Sequence, residues 1–382
     1  MTAATELADR EADPRTGQGA DRSEEPGGRD RGRDPAAGRA VLLGAVLTVA
    51  LAFAIAASVS LGTVRIPLGD VWAIVAHRIT PDTWWTGTWS PWWTEARGAI
   101  VIDSRLPRAL TAALVGAALA VAGAVAQAVT RNPLADPYLL GVSSGAGLGI
   151  VLVTVLGVGS GLAGALTLPL AAFFGALIPL LGTVLVAARA RDVTAIILVG
   201  VAMSMVLSAA ITYLLLVVGD DHQMGTVMRW LAGGFGDARW SLLWAPAAVI
   251  IVLTAVVIAA GRWLNLLHAG DDGAAALGMN VRRFRLLILL VVSVLTAAAV
   301  AVSGTIGFVG LLIPHLAGYL VGRNAIRLVP IAALLGAVAL VAADVLARTV
   351  SSDTELPVGV VTALIGGPIF VVMLWRRYRV AS

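Results

Sequence analysis

Three arginines are the side chains best suited to chemistry with something outside this chain. Arg105 and Arg108 flank Pro107 in the run RLPR, and Arg348 closes the run ADVLAR. A guanidinium offers a flat fork of N–H donors that grips a carboxylate through two parallel bonds, so such a set suits an acidic partner. Arginines at the ends of apolar helices also snorkel to lipid headgroups, and both readings stand. Other reactive groups are sparse. All 27 basic residues are arginine, and cysteine is absent. Without lysine there is no standard Walker A phosphate loop and no Schiff-base chemistry. Without cysteine there are no disulfides, thiolate metal sites or thiol nucleophiles. The four histidines, His77, His222, His268 and His315, are scattered without ligand spacing, so no metal site is expected. His315, behind Pro314 in an apolar run, reads either as a pathway group or as a histidine bonded to a helix end. Asp344 is the clear carboxylate inside an apolar run. That is thin equipment for a proton- or sodium-driven carrier, and thinner still for a membrane enzyme.

The elements that position these residues are membrane helices. The chain is 58% hydrophobic and 13% charged, with a mean hydropathy of +0.89; ordinary soluble domains carry about 25% charge. Ten apolar runs read as spans: 41–61, 109–129, 138 onward, 165–187, 194–218, 241–261, 286–302, 306–321, 328–347 and 357–375. The expected fold is therefore an all-α integral membrane protein of about ten helices. The net charge of +4 reflects membrane orientation in so apolar a chain, not nucleic-acid binding. Ten spans put both termini on one side. Placing them in the cytoplasm leaves most arginines inside, with Arg65, Arg78, Arg97, Arg105, Arg108, Arg229, Arg239 and Arg348 outside, as the positive-inside rule favours.

Residues 1–38 combine acidic, basic, Gly and Pro residues with almost no large apolar ones. They read as a disordered cytoplasmic tail ahead of a transmembrane domain at 39–380. The stretch 62–104 reads as a long polar connection carrying Trp84, Trp85, Trp89, Trp92 and Trp93. Clustered tryptophan suits a membrane interface, and a contact surface for a partner is the other reading.

The second run, Ala109 to Val129, is uncharged and long enough to cross a bilayer at about 1.5 Å per residue. Pro107 is expected in its first turn, where a missing N–H costs nothing. Gly116, Ala120, Gly123 and Gln127 share one helical face. Small residues let a neighbouring helix approach closely, and the amide needs a polar partner. Arg131-Asn132-Pro133 then stops the helix. Later, Gly304, Gly307 and Gly310 recur every third residue before Pro314 and are expected to pack against another helix. Gly123 with Pro133, and Gly304 with Pro314, are equally spaced, as an inverted repeat would place them.

The order of these motifs says more than their physics. RLPR, GAALAVAGAVAQ, RNPLADPYLLGVSSGAG, GFVGLLIPH and ELPVGVVTALIGGPIF, in that order over residues 40–378, closely resemble the permeases of FecCD-type ABC importers, which carry iron–siderophores, haem or vitamin B12. The resemblance implies type II ABC importer architecture and a multi-pass protein of the cell's inner (cytoplasmic) membrane. Iron–siderophore is the cargo it favours. It implies a second permease copy or paralogue, a substrate-binding protein outside, and two separate ATPase subunits that hold ATP and Mg, leaving this chain without a cofactor. Arg105, Arg108 and Arg348 correspond to the family's docking arginines. Residues 262–285 correspond to its cytoplasmic coupling loop, with Leu267, Asp271, Asp272, Ala274, Leu277 and Gly278 meeting the ATPase. Asp271 and Asp272 also suit the first turn of a helix starting near Gly270. Asn132, Leu134, Val193 and Thr194 correspond to the inner gate, and read equally as helix caps. Gly273 and Ala275 depart from the family's usual Ala and Arg in the coupling loop.

Overall fold

In a membrane every backbone N–H and C=O must be satisfied within the protein, which drives apolar chain into helices. The computed structural model of the chain describes residues 35–62, 65–80, 92–159, 161, 163–190, 193–351 and 354–381, and these contain helices and no strand. Residues 1–34 of the expected tail and Trp84, Trp85 and Trp89 lie outside the described residues, whereas 35–38, expected in the tail, form the first turn of the first helix. In chain order the helices are α1 (Pro35–Ser60), α2 (Leu68–Ile79), α3 (Glu95–Ala99), α4 (Leu106–Thr130), α5 (Val142–Thr154), α6 (Thr167–Ala190), α7 (Val193–Val217), α8 (Asp221–Ala232), α9 (Trp240–Ala259), α10 (Gly261–Leu266), α11 (Asp271–Ala276), α12 (Val281–Ser303), α13 (Val309–Val321), α14 (Ala325–Thr349) and α15 (Val358–Ala381). Among the described residues seven helices are long and apolar enough to cross a membrane, and three shorter apolar ones, in α5, α13 and α15, join them. Together they account for the ten expected spans.

One helix sits at the centre. The apolar window containing α4 is 83% buried, against 11% for α1, and α14, α12, α13, α9 and α1 all pack on it. Alanine and glycine make this arrangement work, because a helix without large side chains can be approached from every direction. The expected small-residue face of α4 is divided between two neighbours. Gly116 and Ala120 lie against Gly336 of α14, and Gly123 lies against the Gly310 backbone of α13. Gln127 sits one turn beyond and donates from Nε2 to the carbonyls of Gly310 and Leu311, at 3.3 and 3.1 Å. Pro314 explains the demand. A proline has no N–H for the carbonyl four residues earlier, so Gly310 is left without its helical donor and Gln127 supplies one.

Three expectations need correction. Residues 62–104 are not simply a connection: they hold α2, whose Val71 and Ile74 pack with Val59, Ile66, Val101 and Ala109. Trp92 donates to Asp70 of α2 at 2.9 Å and stands edge-on to Trp93. The helix before α4 also starts earlier than expected. α3 runs through a π-helical turn, Ile100–Arg105, straight into α4, and Leu106 N–H reaches back to Val101. Pro107 therefore sits at the change from π to α register, deep in a continuous helix. Finally, Gly304, Gly307 and Gly310 do not form one packed ridge. Residues 304–308 are non-helical, so a spacing of three does not align them, and Gly307 has open space around its α-carbon.

Candidate functional site: the two ends of the central helix

At the N-terminal end of α4 the arginines converge. Asp344 of α14 is fully buried, and its Oδ1 accepts from Nε and Nη2 of Arg108, both at 3.0 Å. Nε of Arg348, one turn along the same helix, lies 3.1 Å from the other oxygen. Arg348 also donates to the carbonyls of Leu61 and Ser58, at 3.1 Å each, and to Ser58 Oγ at 2.8 Å. Arg105 donates to the carbonyls of Val59 and Ser60, at 2.8 and 3.1 Å. The last carbonyls of a helix have no intrahelical partner, and cationic side chains satisfy them well. Arg105 and Arg348, only 7% and 9% exposed, thus cap α1 and tie it to α4 and α14. Arg108 differs. Its Nη1 points to Glu355 Oε2 at 2.9 Å, and that carboxylate is half exposed. The sequence reading missed Glu355 as a partner; its place just ahead of α15 was the available sign.

Beside Arg108 and Glu355 opens a cavity of about 740 Å³. Much of its wall is non-helical chain: Gly233 to Arg239, Gly304, and Glu355 to Pro357. Non-helical chain within a helical membrane protein needs its polar groups satisfied by protein, and four contacts do so here. Gly234 N–H donates to Ser303 O at 2.8 Å and Gly359 N–H to Gly233 O at 3.3 Å. Thr305 Oγ1 donates to the Leu231 carbonyl, and Ile306 N–H reaches the Tyr138 hydroxyl at 3.3 Å. Glycine is required at 233 and 304, which have φ of 71° and 65° and touch one another's strand of chain.

The C-terminal end of α4 carries a second cluster. Arg131 ends the helix in the left-handed region, φ 50°, uncommon for a residue with a side chain. The Asn132 side chain accepts from Leu134 N–H at 3.0 Å, closing the turn. Arg131 donates to the Leu267 carbonyl at 3.1 Å and pairs with Asp271, the first residue of α11. Arg285 of α12 grips both oxygens of the same carboxylate, at 2.9 and 3.2 Å. The Arg285 hydrogen bond, reinforced by Arg131, holds the Asp271 carboxyl below the ordinary carboxylate range. Leu267 and Ala274 are fully buried and anchor this loop, whereas Asp272 and Leu277 are exposed and Gly278, φ 85°, turns the chain out of α11. The turn 131–134 and the loop 264–278 are thereby brought together. Val193 begins α7, but the side chains of Val193 and Thr194 lie outside the described residues. Beside this second cluster, Gln127, Pro133, His268, His315, Tyr319 and Arg323 border a pocket of about 390 Å³. Burial, with Arg323 and Arg131 nearby, lowers the His268 pKa. Among the described residues no group of three or more His, Cys, Asp or Glu is gathered as metal ligands would be.

The chain is similar to known proteins over most of its length. Residues 50–376 match the model of the FecCD transport family. The Fe(3+) dicitrate transport system permease protein FecC of Escherichia coli is 40% identical over 283 residues, covering 73% of this chain and 84% of FecC. The vitamin B12 import system permease protein BtuC of Serratia proteamaculans is 40% identical over 311 residues, covering 81% and 91%. A metal-chelate-type ABC transporter solved in an inward-facing conformation superposes with a TM-score of 0.76 at 29% identity, covering 88% of this chain and 99% of that one. Matched from within α1 into α15 and 40% identical to permeases of two importers, the chain belongs to the FecCD transport family of membrane permease subunits.

Proposed function

We propose that this permease moves an iron–siderophore complex inward across the cytoplasmic membrane, as one of two copies or paralogues flanking the pathway. Both termini and the 262–285 loop face the cytoplasm. The observation that carries the reading is the pair of clusters at opposite ends of one buried helix. The arginine end faces outward, where Arg108, framed by Arg105 and Arg348, receives an acidic surface of the substrate-binding protein. The other end holds the coupling loop, whose exposed Asp272 and Leu277 meet a separate ATPase that binds ATP and Mg. Asn132 and Leu134, with Val193 and Thr194, form the inner gate. The chain's lack of lysine supports hydrolysis on a partner subunit. Apolar residues left exposed on α7 and α15, such as Met205, Tyr213, Leu364 and Val371, suit lipid and a second permease.

The relatives' names span ferric dicitrate and vitamin B12, so haem or a corrinoid is the alternative cargo. Uptake of iron-55 siderophores, iron-55 citrate, haem and cobalamin in a strain lacking this permease separates them. Restored ferric-siderophore uptake that needs the ATPase is expected. Restoration of haem or cobalamin uptake alone overturns the cargo. Uptake on an ion gradient with no ATPase overturns the importer reading.

A further inference from the structure

We infer that Glu355 is an intramolecular stand-in for the docking partner's carboxylate, occupying Arg108 until the binding protein displaces it. This rests on the proposal that Arg108 is a docking residue.

Geometry carries the inference. Arg105 and Arg348 spend their donors on the carbonyls that end α1, and both are nearly buried. Arg108 gives one edge of its guanidinium, Nε and Nη2, to the buried Asp344. Its remaining nitrogen, Nη1, is covered by Glu355 at 2.9 Å, and both residues line the cavity. Arg108 retains 13% side-chain exposure, whereas Glu355 has 51%. With its acid half in solvent, such a pair is held less firmly than the buried pairing with Asp344. An incoming carboxylate can therefore take the same nitrogen without disturbing the buried half of the site. Glu355 is also the hinge between docking and the cavity. Residues 355–358 line that cavity, and Gly359 N–H, next in the chain, bonds to the carbonyl of Gly233, another lining residue. Displacing Glu355 releases one anchor of that wall, so partner arrival and loosening of the cavity rim become one event.

The test measures binding of the purified extracytoplasmic substrate-binding protein to the permease–ATPase complex in nanodiscs. Glu355→Gln removes the competitor's charge and keeps its shape, and is expected to tighten binding about two- to fivefold, the range of one exposed ion pair. Asp237→Asn is the control, since Asp237 is an exposed acid on the same cavity and tests whether any lost negative charge helps. It should change binding by much less. Glu355→Gln should also lose its effect when combined with Arg108→Gln. Unchanged or weaker binding by Glu355→Gln overturns the inference, as does equal tightening by Asp237→Asn. Failure of Glu355→Gln to assemble assigns the residue a structural duty and overturns it too. If Arg108→Gln alone binds normally, the docking reading itself has failed. If Arg108→Gln weakens binding while Glu355→Gln does not tighten it, docking survives and the stand-in is lost.

Discussion

Arg131 and Asp271 are 140 positions apart in sequence and form an ion pair that joins the left-handed end of α4 to the first turn of α11. Because Arg131 also holds the Leu267 carbonyl, two side-chain bonds tie the turn after the central helix to the loop proposed to meet the ATPase. Both partners are nearly half exposed, so the pair adds at most about 1 kcal/mol to stability. Its importance is mechanical. Arg131→Ala should leave the melting temperature unmoved and ATP hydrolysis nearly unchanged, while lowering uptake in proteoliposomes by about tenfold, within the usual range of coupling energies. Equal loss of hydrolysis and uptake would show that Arg131 does not link them.

Gly123 and Gly307 make opposite predictions from the same residue type. A Cβ at 123 would run into the Gly310 backbone, whereas one at 307 meets nothing. Gly123→Ala must push α4 and α13 apart and strain the Gln127 bonds, costing about 1–3 kcal/mol or more. Gly307→Ala should stay within about 0.5 kcal/mol. Thermal unfolding in detergent distinguishes them, and similar losses for both would contradict the helix contacts.

Asp344→Asn keeps the shape of the buried carboxyl but leaves Arg108 and Arg348 facing an uncharged amide. Removing one member of a buried ionic cluster costs about 3–5 kcal/mol. The variant should lose most of its folded yield, whereas Glu355→Gln, at an exposed carboxylate, should fold normally. Yield and thermal shift measured side by side check both.

Asp136 gives a pH dependence. Burial pushes its carboxyl up to about 6, partly opposed by the Tyr138 N–H it accepts at 2.8 Å. A carboxyl raised above its unfolded value favours the protonated form in the fold. Its stabilising contribution is full below the unfolded value near 4 and is lost as pH rises through about 6. Asp136→Asn, which can still accept from Tyr138, should raise the melting temperature at pH 7.5 and flatten its fall between pH 4 and 6.5. A variant as pH-sensitive as the unaltered chain would exclude Asp136 as the source.

Much of this architecture is written locally. Apolar runs long enough to span, punctuation such as Arg131-Asn132-Pro133, and the shared face of Gly116, Ala120, Gly123 and Gln127 depend on neighbours within a few turns, so composition and helical period reveal them. The absence of lysine and cysteine likewise limits the chemistry without reference to any fold. α2 was missed although LGDVWAIVAHRI carries a helical apolar period, because 12 residues are too few to cross a bilayer and the segment was grouped with the tryptophan-rich chain after it. The π turn ahead of Pro107 was missed because nothing in the residue types of IVIDSR separates it from α-helix.

What tertiary structure alone decided is how the polar groups are spent. The sequence determined that a few arginines and acids must live at the ends of apolar helices, since a charge there needs a partner or the headgroups. It could not say which partner. Arg108 meets Asp344 across 236 positions and Arg348 meets Ser58 across 290, distances over which periodicity carries no information. Packing around α4 brings those ends together, and once they are together, desolvation makes the pairing obligatory.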